Sequence, residues 1–144
     1  MTRLLASPAV ALALTLALAA CGGGDDATGP STIESAAGVY PLRSYNGGTL
    51  PLVVGQSATQ GTLELTSGHV TLKGDGTFVE AISYKFTPPG VGAVVEVDSS
   101  TSNGRYAVQA TQILFTFPDG EQVTASYANG TITVVAQATF VYRR

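Results

Sequence analysis

Tryptophan is absent, and cysteine and histidine occur once each in the 144 residues. A single cysteine excludes an internal disulfide, so packing and hydrogen bonding alone must hold the fold. A single histidine, His69, rules out a His-x-x-His metal pair, and no Gly-x-Ser-x-Gly marks a nucleophile elbow. Its place beside Ser67-Gly68 reads as a solvated turn histidine. Charged residues make up 12% of the chain, and the seven Lys and Arg form no cluster. That excludes the electrostatic footprint of a nucleic-acid binder. No helix-period window follows Ala37, which excludes a helical body. Asp75-Gly76, Asp119-Gly120 and Asn129-Gly130 lack the further spaced acids of a calcium loop and read as hairpin turns. With no catalytic constellation, metal set or cofactor motif, the chain reads as a non-enzymatic protein without a cofactor.

What the chain does have begins at its N-terminus. Met1-Thr2-Arg3 carries one positive charge, and the 17 residues from Leu4 to Ala20 carry none. That length is at the low end for spanning a hydrocarbon core of about 30 Å. Pro8 interrupts it and no basic flank follows, so residues 1–20 read as a cleaved export signal. Leu18-Ala19-Ala20-Cys21 then resembles the lipobox of bacterial lipoproteins. The resemblance implies that the Cys21 sulfur is acylated, that residues 1–20 are removed, and that Cys21 becomes the first residue. One acyl chain binds a membrane with only about 10⁴ M⁻¹; the two or three chains of that family make attachment stable. In Gram-negative members an Asp after the cysteine retains the protein at the inner membrane. Gly22 stands there instead, which favours the outer membrane if the host has one. A free reactive thiol or metal ligand would want basic or histidine neighbours, and Gly22 to Asp26 supplies none.

Loss of residues 1–20 leaves 124, enough for one domain. Without Arg3, six Lys and Arg stand against ten Asp and Glu, a net charge of −4. Residues 21–32 hold only small and polar side chains after the cysteine. They read as a flexible tether reaching roughly 20 Å. Residues 33–144 form the single domain.

Ile33 to Ala37 reads as one short helical turn. From Gly38 onward the pattern has period two. Val39–Tyr45 is a first strand, with Pro41 pointing to an edge or strand start. Asn46-Gly47-Gly48 is a turn, Thr49–Val54 a second extended piece, and Gly55–Gln60 a polar loop. Leu63 and Leu65 share a face; parity switches to Val70 and Leu72 after Ser67-Gly68, which marks a turn or bulge. Asp75-Gly76 turns the chain into the longest strand, Thr77–Thr87. Pro88 to Gly92 breaks the pattern, Ala93–Val97 is a short strand, and Asp98–Gly104 is a polar loop. Arg105–Ala110, Thr111–Phe117, Glu121–Ala128, Thr131–Ala136 and Ala138–Arg143 complete the chain, with Ile113, Phe115 and Phe117 inward.

Eight to ten short strands joined by tight turns make an all-β, antiparallel, up-and-down meander. An eight-stranded barrel is favoured, because it removes exposed edges; a β-sandwich is the alternative. Gly38-Val39-Tyr40, with Arg143 or Arg144 at the other end, resembles the Gly-x-Trp and closing arginine of lipocalins, with Tyr40 in place of Trp. The resemblance, shared with small avidin-like barrels of bacterial lipoproteins, implies that Tyr40 and Arg143 close the barrel by a cation–aromatic contact. Such a contact is worth about 0.5–1 kcal/mol.

Glu80 shares parity with Phe78, Ile82, Tyr84 and Phe86, so it sits on the apolar face. A buried carboxylate must be paired, and Arg43, Arg105 or Arg143 is the expected partner. A polar contact in a ligand cavity is the functional reading; a local bulge or a rim position is the plainer one. Tyr40, Phe78, Glu80, Tyr84, Phe86, Phe115 and Tyr127 are the candidate lining of a lumen. Two functions remain open. One is an anchored binding module for a small apolar ligand. The other is an accessory envelope protein with a filled core and a partner-facing surface such as Leu50 to Val54. A void of about 300 Å³ or more favours the first; a lumen filled by Phe78, Phe86, Phe115 and Phe140 favours the second. The anchor is tested directly: Cys21→Ser is expected to abolish incorporation of labelled fatty acid, and label retained on the variant refutes the lipobox reading.

Overall fold

The computed structural model describes residues 32–144. The export segment, Cys21 and all of the tether except Thr32 lie outside the described residues. Thr32 opens the described chain as an N-cap: its side chain accepts from the Ser35 backbone while Ser35 reaches back, a reciprocal capping box. That cap stabilises a single turn, α1 (Ile33–Ala36). Ten strands follow: β1 (Gly38–Tyr45), β2 (Gly48–Thr49), β3 (Leu52–Ser57), β4 (Gly61–Leu72), β5 (Thr77–Thr87), β6 (Glu96–Gln109), β7 (Gln112–Thr116), β8 (Gln122–Ala128), β9 (Thr131–Val135) and β10 (Thr139–Arg143).

The turns form where turn chemistry stands. Asn46 and Gly47 take φ of 47° and 80°, and Asn129 and Gly130 take 50° and 69°, as a type I′ hairpin requires. Asp75 accepts from the Thr77 amide at 2.9 Å and from its hydroxyl at 2.6 Å, which fixes the start of β5.

Every strand pair is antiparallel. The order runs β1-β10-β9-β8-β7-β6-β5-β4, and β4 pairs back onto β1, so eight strands close a barrel. The two short strands β2 and β3 hang from β1 and β4 outside the ring. β1 is shared: Gly38 to Pro41 pair with β4, and Leu42 to Tyr45 pair with β10. Pro41 is therefore interior to the strand rather than at its start, and stands at the handover between two neighbours. The barrel is the fold expected, and the sandwich alternative is excluded by the closure.

Four segments differ from expectation. Asp98–Gly104 is not a loop but the middle of β6, which begins at Glu96 rather than Ala93. Its backbone pairs along β5 from Phe86↔Glu96 to Thr77↔Arg105. Its side chains are mostly exposed, so strand pairing needs no apolar alternation there. Of the turn or bulge expected at Ser67-Gly68, the structure has a bulge, placed at Thr66 inside one long strand, and His69 is accordingly an exposed strand residue, not a turn residue. Thr49–Val54 is split at Leu50-Pro51 into β2 and β3. Gly55 to Ser57 belongs to β3.

β6 pairs with β7 only from Arg105 onward. Before that point β3, β4, β5 and β6 continue together as a four-stranded flap that projects past one end of the barrel. Gly104 marks the split, because a Cβ there would meet the Thr116 carbonyl and lie 2.8 Å from Phe78 Cε1. Only glycine lets the Phe78 ring cross that point.

The β6–β7 turn carries the one positive-φ residue among the described residues that is neither glycine nor asparagine: Ala110 holds φ at 52°. A left-handed conformation costs an L-residue roughly 1–2 kcal/mol, while a glycine loses roughly 0.5–1 kcal/mol through its freer unfolded chain. Ala110→Gly is expected to stabilise by roughly 0.5–1 kcal/mol in urea unfolding; destabilisation shows that the turn stores no such cost.

Candidate functional site

The two ends of the barrel are built differently. At the end that carries α1, both chain extremities of the ring meet, and three tyrosines converge on the helical turn. The Tyr40 hydroxyl donates to the Ala36 carbonyl and lies 3.3 Å from the Tyr127 hydroxyl. The Tyr106 hydroxyl reaches the carbonyls of Ile33 and Lys73 at 3.1 and 2.7 Å. Arg144 completes the cluster. Its guanidinium sits 4.7 Å from the Tyr40 ring centroid. It donates to the carbonyls of Ala37 and Ser35, each at 3.2 Å, and to the Tyr127 hydroxyl at 3.1 Å. Burial, then the Tyr127 hydroxyl, pushes the Tyr40 phenol well above its ordinary range. This end is sealed. Tyr40 and Tyr127 are parts of its plug, not of a ligand wall.

The closing cation is Arg144 and not Arg143. Tyr142 points inward with its whole side chain buried. Strand alternation therefore turns Arg143 outward, where it is exposed. Arg144, just past β10, is free to fold back over Tyr40. A closed antiparallel barrel with a cation over a first-strand aromatic is compatible with the lipocalin-like expectation.

The other end is open. The flap leaves from it, and the β7–β8 and β9–β10 turns rim it. An apolar cavity of about 160 Å³ occupies the lumen there, walled by Phe78, Phe115, Phe117, Val134, Phe140 and Tyr142, with Glu80 on its side and Ile132 deeper down. Phe78 anchors the wall, edge-to-face on Phe115 at 4.9 Å and on Phe117 at 5.4 Å. Phe140 stacks on Tyr142 and packs edge-on against Tyr45. A wider, solvent-open cleft of about 560 Å³ lies where β6 parts from β7, between Lys73, Asn103, Arg105 and Pro118. It is shallow and polar-edged, whereas the lumen cavity is the better enclosed and the more apolar.

Glu80 faces this cavity. None of the three expected arginines pairs with it: Arg43, Arg105 and Arg143 are all exposed on the outer face. Its partner is the Tyr142 hydroxyl, which donates to Glu80 Oε1 in a short hydrogen bond. Burial, then the negative charge of Glu80, pushes the Tyr142 phenol far above its ordinary range. No bulge disturbs β5 at Glu80, which pairs Val70 on one side and Ser102 on the other.

Of the seven candidate lining residues, the cavity takes Phe78, Glu80 and Phe115. Tyr84 and Phe86 lie on the flap, beside a separate hollow with Leu63, Glu96 and Asp98. Their parity was legible, but the point where β5 leaves the ring was not. Tyr142 was not among the candidates, and Phe140 was expected only as a filler of the lumen, although their even positions on the last strand match those of Ile132 and Val134. Among the described residues, no group of three or more His, Cys, Asp or Glu is placed to hold a metal ion. No family model, curated protein or solved structure matches this chain.

The raised tyrosines fix an alkaline limit. Tyr40, Tyr106 and Tyr142 all hold their protons more tightly folded than unfolded. The unfolded chain therefore loses protons first, and stability, full below about pH 10, falls as pH rises, by up to about 1.4 kcal/mol per unit for each such tyrosine. Tyr142→Phe is expected to lower stability at neutral pH by roughly 1–3 kcal/mol, since Glu80 loses its donor, and to flatten the alkaline slope by one proton. An unchanged slope in urea unfolding across the alkaline range refutes the assignment.

Proposed function

We propose that this chain is an exported, lipid-anchored, non-enzymatic binding protein that holds one small apolar ligand in the open end of its barrel. The lumen cavity carries the reading: about 160 Å³ of apolar space, enclosed on its sides and reached from one end. An engineered apolar cavity of roughly 150 Å³ takes benzene. The void falls short of the 300 Å³ expected of a drug-sized site, because Phe78, Phe115 and Phe140 fill much of the lumen. Phe86, the fourth phenylalanine expected to fill it, sits on the flap instead. A ligand of benzene size, and not a long-chain lipid, suits what remains.

The anchor rests on Leu18-Ala19-Ala20-Cys21, and Gly22 favours the outer membrane. The lipocalin-like assignment rests on Tyr40 and Arg144 across a closed eight-stranded ring. A second reading, an accessory envelope protein with a protein partner, is favoured by the flap. Val91, Val94 and Val97 are each more than three-quarters exposed, and no charge stands between Thr87 and Val95.

Native mass spectrometry of the full chain, isolated from its own cells, separates the two. A benzene-sized adduct is expected, released by solvent extraction and missing from Val134→Phe, whose ring occupies the cavity. An adduct that persists in Val134→Phe places the ligand elsewhere. A clean apo mass, with a protein crosslinking through Val91 to Val97, gives the second reading instead.

A further inference from the structure

We propose that the small ligand of the lumen, apolar in its body, carries one cationic head, an amine or quaternary ammonium group, held by Glu80 within the aromatic wall. The proposal rests on the cavity being a ligand site. It starts from a charge that apolar packing of the lumen does not call for. Position 80 lies between Phe78 and Ile82 on the inward face of β5, and an apolar residue there would fill the lumen at no desolvation cost. A carboxylate in that place is expensive unless it is paired. Its one described donor is the Tyr142 hydroxyl. That phenol is buried and held in its protonated form, so it donates without neutralising the charge. No described group donates to Glu80 Oε2, and no buried side-chain oxygen lacks a partner, so Oε2 is not sealed off.

No cation among the described residues answers this charge. The one ion pair among the described residues is Lys85 to Glu64 at 2.9 Å, on the flap. Arg144 is committed to the sealed end. The cavity thus holds an uncompensated negative charge beside Phe78, Phe115, Phe117 and Phe140. Aromatic rings attract a cation through their quadrupoles, most strongly where water is excluded. A cationic ligand answers both the carboxylate and the rings. A neutral ligand of the same shape leaves the carboxylate desolvated with the Tyr142 hydroxyl as its sole partner. The void sets the size limit near a single substituted ring.

The test compares benzylammonium with ethylbenzene, which have the same shape and differ in charge. Each is titrated into the full chain carrying Cys21→Ser, with the methyl resonances of Val70, Ile132 and Val134 as readout. Benzylammonium is expected to shift these methyls and to bind at least tenfold more weakly to Glu80→Gln, while ethylbenzene binding does not weaken. Glu80→Asp, which keeps the charge, is expected to retain the preference for benzylammonium and serves if Glu80→Gln does not fold. Benzylammonium binding that ignores Glu80→Gln overturns the proposal. So does ethylbenzene binding without benzylammonium binding, although the cavity then still stands as an apolar site. If neither molecule moves the lumen methyls, the ligand-site reading falls with it.

Discussion

Every strand of a closed ring is hydrogen-bonded on both sides, and β1 is the strand at which this ring is joined. Its first half belongs to β4 and its second half to β10, with a register shift between Leu42 and Ser44. Pro41, which has no N–H to donate, stands at the handover. Arg144 then fixes the joint from outside, over Tyr40 and against the carbonyls of α1. A barrel without this joint would be an open sheet with two bare edges, rich in Thr and Val and prone to pair with other chains. The lumen, its sealed floor and its open mouth all follow from it.

Local chemistry was legible wherever it acts locally. Asn46-Gly47, Asp75-Gly76 and Asn129-Gly130 turn the chain where their backbone preferences say they should. The alternation in Thr77–Thr87 places Phe78, Glu80 and Ile82 on the inner face as expected. What failed depends on partners distant in sequence. Asp98–Gly104 has no apolar pattern, yet it is strand because β5 beside it is long enough to pair with it. Tyr84 and Phe86 keep their parity but lie past the point where the ring ends. Arg143 lost to Arg144 by a single residue, since alternation from Tyr142 decides which side chain faces in. The partner of Glu80 was sought among arginines, whereas a phenol on the closing strand supplies the hydrogen bond.

The lumen is neither empty nor fully packed. Phe78 occupies its middle only because Gly104 leaves room for the ring. Above it the wall is aromatic and the floor is aliphatic, so the residual space is apolar on nearly every side. One carboxylate breaks that uniformity. Tyr142 ties it to the closing strand, so the same hydrogen bond that satisfies Glu80 also links β5 to β10 across the barrel. Site and scaffold therefore share a contact, and neither can be altered without touching the other.

The sealed end also decides how the molecule carries a mechanical load. The chain before Thr32 enters there, at α1, and continues directly into β1. A pull on that chain first strains the contacts of Ile33, Ser35 and Ala36 with Tyr106, Arg144 and Tyr40. It then runs along the axis of β1, and the hydrogen bonds to β4 and β10 share it in shear. They must fail together, unlike those of a hairpin peeled one rung at a time. The strand that closes the ring is thus also the one through which such a pull enters the barrel.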